Sequence, residues 1–105
     1  MKQSQAQIQS ELFDLGMAYY CVAHVVCTMD AEHCLRGNRT DAYSSALLTM
    51  RHAKEYLWDQ IRSHVVYFGI NGDLTLDRAW LAWNRKRDWV ARNRKREGEG
   101  KGEGR

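Results

Sequence analysis

Residues 15–29 read LGMAYYCVAHVVCTM and form the longest stretch of the chain without a formally charged side chain. A bilayer crossing needs about 20 mostly apolar residues, so this stretch predicts a core helix and no membrane span. Around it, apolar or aromatic residues recur in alternating steps of four and three. These positions are Ile8, Leu12, Leu15, Tyr19, Val22, Val26, Met29 and His33. This heptad spacing predicts one long helix over about residues 5–35.

The same segment carries a second apolar stripe beside the first. Its members are Phe13, Gly16, Tyr20, Ala23 and Cys27. A helix buries an apolar stripe against a neighbour, and two adjacent stripes need neighbours on two sides. We therefore expect this helix to be the central one.

Two polar, glycine-containing breaks divide the rest of the chain, RGNRTD at 36–41 and GINGD at 69–73. Glycine commonly ends a helix, and Thr40 or Asp41 is a suitable N-cap for the next one. The breaks predict further helices at about 41–68 and 74–96, and no proline interrupts them. Short links make neighbouring helices antiparallel.

The sequence thus predicts an all-α fold: a long antiparallel helical hairpin plus a third amphipathic basic helix. We expect one domain, residues 1–96, arranged as a three-helix bundle that self-associates, since three helices leave part of the apolar stripes uncovered. Residues 97–105 read EGEGKGEGR and contain no apolar residue. This composition predicts a flexible tail.

Positive charge is concentrated in the third predicted helix. Residues 74–96 carry eight basic and two acidic side chains, whereas residues 1–73 carry six basic and eight acidic ones. At about 100° per residue, several of the basic residues and one tryptophan lie opposite the apolar side of that helix. The predicted binding residues are Arg78, Arg85, Trp89, Arg92, Lys95 and Arg96.

This pattern favours a polyanion, most plausibly nucleic acid, as the partner. Guanidinium groups bind phosphate in a bidentate manner, and an exposed indole offers a flat face on which a base can stack. The alternative is a protein-interaction module or inhibitor that docks a helical face on another protein, including one that itself binds nucleic acid. Tyr56 and Tyr67, on the outer side of the second helix, are the candidate contacts for a partner subunit.

The sequence gives no support for catalysis, a cofactor or a metal site. It contains no glycine-rich phosphate loop, no GxSxG and no HExxH, so we expect a protein that is not an enzyme. One cluster combines thiols and imidazoles: Cys21, His24, Cys27, His33 and Cys34. Its helical spacing does not converge four ligands, which favours core packing over zinc. Free thiols and a polar N-terminus predict a cytoplasmic location.

Overall fold

The computed structural model describes the backbone of residues 3–103 and the side chains of residues 3–94. It contains three α-helices, α1 (Gln5–Leu35), α2 (Asp41–Phe68) and α3 (Asp73–Glu103), and no strand within the described residues. The all-α prediction is confirmed, and the bounds of α1 and α2 agree with those predicted from the sequence.

Local hydrogen bonds explain where the first two helices begin and end. Ser4 caps α1 in a capping box with Gln7, whose backbone N–H donates to the Ser4 hydroxyl at 3.2 Å. Thr40, one of the two predicted caps, accepts from the backbone N–H of Tyr43 at 3.2 Å. Gly69 ends α2 in the left-handed conformation, with φ of 61°, which glycine adopts without the penalty of a Cβ.

The turn before α3 is packed against the hairpin. Gly72 is buried, and a Cβ at this position would lie 2.7 Å from Leu12 Cδ2 and 3.1 Å from Val65 Cγ2. The Gly72 carbonyl accepts from the backbone N–H of Leu76 at 2.9 Å, which starts α3. The absence of a side chain at Gly72 therefore lets α3 begin directly beside α1 and α2.

α1 is the central helix, as its two apolar stripes predict. It contacts α2 on one side and α3 on the other, whereas α2 and α3 do not pack along each other within the described residues. The α1–α2 side contains Leu12, Leu47 and Ile61, each of which is at most 2% exposed. On the α1–α3 side, Gly16 meets Ala79.

α3 ends later than the sequence predicts. Its backbone is helical to Glu103 rather than to about residue 96, and the flexibility of residues 97–105 stays a prediction. Backbone N–H to carbonyl bonds allow a helix to continue from a stable segment even where the sequence has several glycines, each of which costs about 1 kcal/mol relative to alanine. Residues 104 and 105, the end of the predicted tail, lie outside the described residues.

The arrangement leaves a large surface uncovered. The accessible surface is 8076 Å², against about 6,100 Å² expected for a compact monomer of this mass. The radius of gyration is 17.9 Å, against about 13 Å for a compact chain of this length. Large apolar side chains that remain exposed are Leu35, Leu48, Tyr56, Trp58, Val66, Tyr67, Leu74, Trp80, Leu81 and Trp89.

α1 is also long and apolar enough, by length and composition alone, to cross a membrane. The full helix has 31 residues, which is longer than the uncharged stretch on which the sequence prediction was based. The core helix of a soluble protein meets the same two criteria, and α1 packs against both other helices. The prediction of no membrane span therefore stays a prediction.

Candidate functional site

The orientation of α3 is determined by the side chains that face α1. Ala79 is fully buried against Gly16, and the His24 and Trp83 rings lie with their centroids 5.0 Å apart. Ala79 and Trp83 are four residues apart, so they share one side of the helix. Packing of this side directs the opposite side of α3 to solvent.

The solvent side of α3 carries the predicted basic residues as an exposed row, here called the arginine row: Arg78, Arg85 and Arg92. Successive members are seven residues apart, which places them about 10.5 Å apart along the helix on nearly the same side. Among residues 3–94, no carboxylate forms an ion pair with any of the three. Asp88, the nearest acidic residue in sequence to Arg85 and Arg92, pairs with Arg87 at 3.6 Å.

Trp89 lies beside the arginine row and is 60% exposed. Its indole is therefore available to a partner. The structure does not describe the side chains of the other two predicted binding residues, Lys95 and Arg96, although both belong to the helical backbone of α3.

Two exposed leucines also lie on the solvent side of α3. Leu74 is 62% exposed and Leu81 is 50% exposed, and they alternate with Arg78 and Arg85 in steps of four and three. Sequence reasoning treated this side as a basic surface and missed the leucines. The same spacing of four and three residues, applied to the outward-facing positions of this helix, would have identified the two leucines.

A second basic group lies in a groove between α1 and the C-terminal half of α3. Arg87 stacks over Trp83, with the guanidinium carbon 5.0 Å from the ring centroid. The groove measures about 420 Å³ and is lined by Cys21, Trp83, Lys86, Arg87, Val90, Ala91 and Arg94. It extends positive charge from the solvent side of α3 towards α1.

The predicted partner contacts on α2 are exposed. Tyr56 is 63% exposed and Tyr67 is 82% exposed. Eleven residues separate them, which corresponds to about 16 Å along the helix. A surface groove of about 560 Å³ between them is lined by Asp59, Arg62, Ser63, Val66 and Tyr67.

The cluster of thiols and imidazoles differs from the predicted packed core. Cys21, Cys27 and Cys34 are all exposed and unpaired, so the prediction that they fill the interior is wrong. Within the described residues, no three His, Cys, Asp or Glu side chains converge as metal ligands do.

One hydrogen bond joins distant parts of the chain without a local sequence signal. His64 Nε2 lies 2.9 Å from the carbonyl oxygen of Ile8, and the His64 ring packs on Phe68. This contact joins α2 to α1. Burial raises the pKa of the Tyr20 phenol, and the Asp77 carboxylate and Tyr19 raise it further.

No protein-family model, no characterised protein and no solved structure matches this chain.

Proposed function

We propose that this protein binds a polyanion, most plausibly nucleic acid, along the solvent side of α3, and that it is not an enzyme. The observation that carries the proposal is the arginine row, whose three side chains are exposed and have no acidic partner among residues 3–94. A guanidinium row with a span of about 21 Å matches the repeated charge of a phosphate backbone.

The chemistry of the row indicates electrostatic binding with little base readout. Each phosphate that is neutralised on a duplex releases counterions, so three to five contacts give a slope of log affinity against log salt of about −2.7 to −4.5. Trp89 adds a stacking surface that suits an unpaired base. We therefore expect binding to both duplex and single strands, with strong dependence on salt.

Fluorescence titration of labelled DNA and RNA at several salt concentrations tests the proposal. The double variant Arg85→Glu with Arg92→Glu should lose most of the affinity and reduce the salt slope by about two. A matched control is Arg36→Glu with Arg39→Glu, which changes the net charge equally at exposed sites outside α3. At physiological salt, charges beyond about 8 Å are largely screened, so the control should bind nearly as the wild type does.

The absence of binding to any strand at low salt would overturn the nucleic-acid proposal. Equal losses in the two double variants would also overturn it, because such a result assigns the binding to net charge rather than to α3.

A second candidate, docking on an acidic surface of another protein, is favoured by Leu74 and Leu81. Exposed leucines add nothing to phosphate binding, whereas a protein partner buries them at about 25 cal/mol per Å². Leu74→Ser with Leu81→Ser distinguishes the two functions. The double variant should keep its affinity for nucleic acid under the first proposal and lose its protein partner under the second.

A further inference from the structure

The side of α2 opposite its buried residues forms a continuous exposed surface, here called the outer face of α2. Leu47 and Ile61 point to the core. The residues of the outer face recur in steps of four and three and are all exposed: His52, Tyr56, Asp59, Ser63 and Val66. Tyr56 is 63% exposed and Val66 is 79% exposed. Helix–helix contacts use residues at this spacing, and α2 contacts only α1 among the described helices, so this side of α2 is uncovered there.

Three residues of this face and the adjacent Arg62 form the arrangement that receives a side chain in paired helices. Asp59, Arg62, Ser63 and Val66 are related as i, i+3, i+4 and i+7. They border the 560 Å³ groove together with Tyr67. In helix pairs packed knobs into holes, four residues at this spacing make the hole that accepts one side chain of the facing helix.

We propose that two copies of this chain pair through the outer faces of α2, antiparallel, with each Tyr56 seated in the groove of the other copy. The groove is centred between Arg62 and Ser63, and Tyr56 lies nearly two helical turns before that point. In an antiparallel pair with Tyr56 in the partner's groove, the two-fold axis lies midway between Tyr56 and the groove centre, close to Asp59. The same axis places the partner's Tyr56 in the groove of the first copy, which is the reciprocal contact that two-fold symmetry requires.

Charge favours the outer face of α2 over the solvent side of α3 as the surface through which two copies pair. Asp59, near the proposed axis, forms an ion pair with Arg62 of its own helix. The groove is therefore close to neutral, and two copies meet there without net repulsion. The solvent side of α3 carries the arginine row, so two copies facing each other through α3 would repel.

The molecule as a whole has enough exposed surface for a stable dimer interface. Its accessible surface exceeds that of a compact monomer by about 2,000 Å², to which the outer face of α2 contributes a part, and a standard interface buries about 800 Å² on each partner. Pairing through α2 covers Tyr56 and Val66 and leaves α3 exposed. The dimer then presents two arginine rows.

Sedimentation equilibrium at concentrations up to about 100 µM tests the pairing, because a dimer is populated by mass action. The 12.3 kDa chain should sediment at twice its mass. Tyr56→Ala removes the inserted side chain and should raise the dissociation constant by about 30-fold, the effect of truncating a central aromatic residue. Tyr56→Phe keeps the ring and should retain the dimer.

Ser63→Lys fills the groove from its own side and should give a monomer. Ser45→Lys is the matched control, since Ser45 is also exposed on α2 but lies beyond the proposed overlap. All three positions changed are exposed, so far-ultraviolet circular dichroism should show the wild-type helix content in all four variants. A wild type that is monomeric at the highest concentration overturns the proposal. A dimer that survives Tyr56→Ala and Ser63→Lys, or one that Ser45→Lys disrupts equally, also overturns it.

Discussion

Gly16 and Ala79 meet at the closest approach of α1 and α3, where neither helix has space for a larger side chain. A Cβ added at Gly16 would lie 2.9 Å from the Ala79 Cβ and 3.1 Å from Leu76 Cδ2. The Ala79 Cβ is attached directly to the backbone, so it cannot rotate away. This contact fixes the rotation of α3 and thereby the direction in which the arginine row points.

Gly16→Val should lower the free energy of unfolding by about 1–3 kcal/mol, the cost of overpacking a close contact. Valine has a higher helix propensity than glycine, and this difference offsets only about a few tenths of a kcal/mol of that cost. Urea denaturation followed by circular dichroism measures the change. Ala18→Val is the control, since Ala18 is exposed on the same helix. Equal stability of the Gly16 variant and the control would contradict the close packing of α1 and α3.

Leu12→Ala should be among the most destabilising single changes. Leu12 is fully buried and contacts the position of Gly72, so truncation removes packing at the junction of α1, α2 and the turn before α3. Leucine-to-alanine changes in cores cost about 2–5 kcal/mol. Leu35→Ala, at a position that is 84% exposed, should change the unfolding free energy by less than about 0.5 kcal/mol. A small effect of Leu12→Ala in the same denaturation experiment would contradict the observed core.

Periodicity predicted the faces of the helices better than their neighbours. The four-and-three spacing correctly directs Ile8, Leu12 and Val26 to the interior, because it depends only on helix geometry. It does not tell whether another helix covers a face. Trp80 directly follows the buried Ala79 and is 51% exposed, because α2 and α3 do not pack along each other in the described part of the chain.

Local sequence patterns also did not predict contacts between residues that are far apart in the sequence. The His64 ring on α2 lies within hydrogen-bond distance of the carbonyl oxygen of Ile8 on α1, 56 residues away. A backbone acceptor has no side-chain signature, so no spacing rule finds such a pair. The arginine row, in contrast, follows from spacing within one helix, and its exposure follows from the packing of the opposite side.

Trp89→Ala should weaken binding to single-stranded nucleic acid by about 5- to 150-fold, which corresponds to a stacking contribution of about 1–3 kcal/mol per base. The salt slope should not change, because no charge is removed. Fluorescence titration measures both quantities. Trp80→Ala is the control, since Trp80 is similarly exposed but lies on another side of α3. Equal losses in the two variants would show that the indole beside the arginine row has no special contact.

Tyr20 should make the stability of the fold sensitive to alkaline pH. Its phenol has a pKa raised by burial first, then by Asp77 and Tyr19. The unfolded chain therefore loses this proton at about pH 10, before the folded chain does. The stabilisation that the neutral phenol contributes is fully present below about pH 10. It is lost as the pH rises through the higher pKa that Tyr20 has in the folded chain.

Urea denaturation at a series of pH values from about 9 to 11.5 measures this loss, and absorbance of tyrosinate follows the titration directly. Tyr20→Phe cannot ionise at this position, so its unfolding free energy should fall less steeply over the alkaline range than that of the wild type. Tyr67→Phe provides the control, because Tyr67 is 82% exposed. Parallel curves for the wild type and Tyr20→Phe would show that the Tyr20 phenol has the same pKa in the folded and unfolded chains.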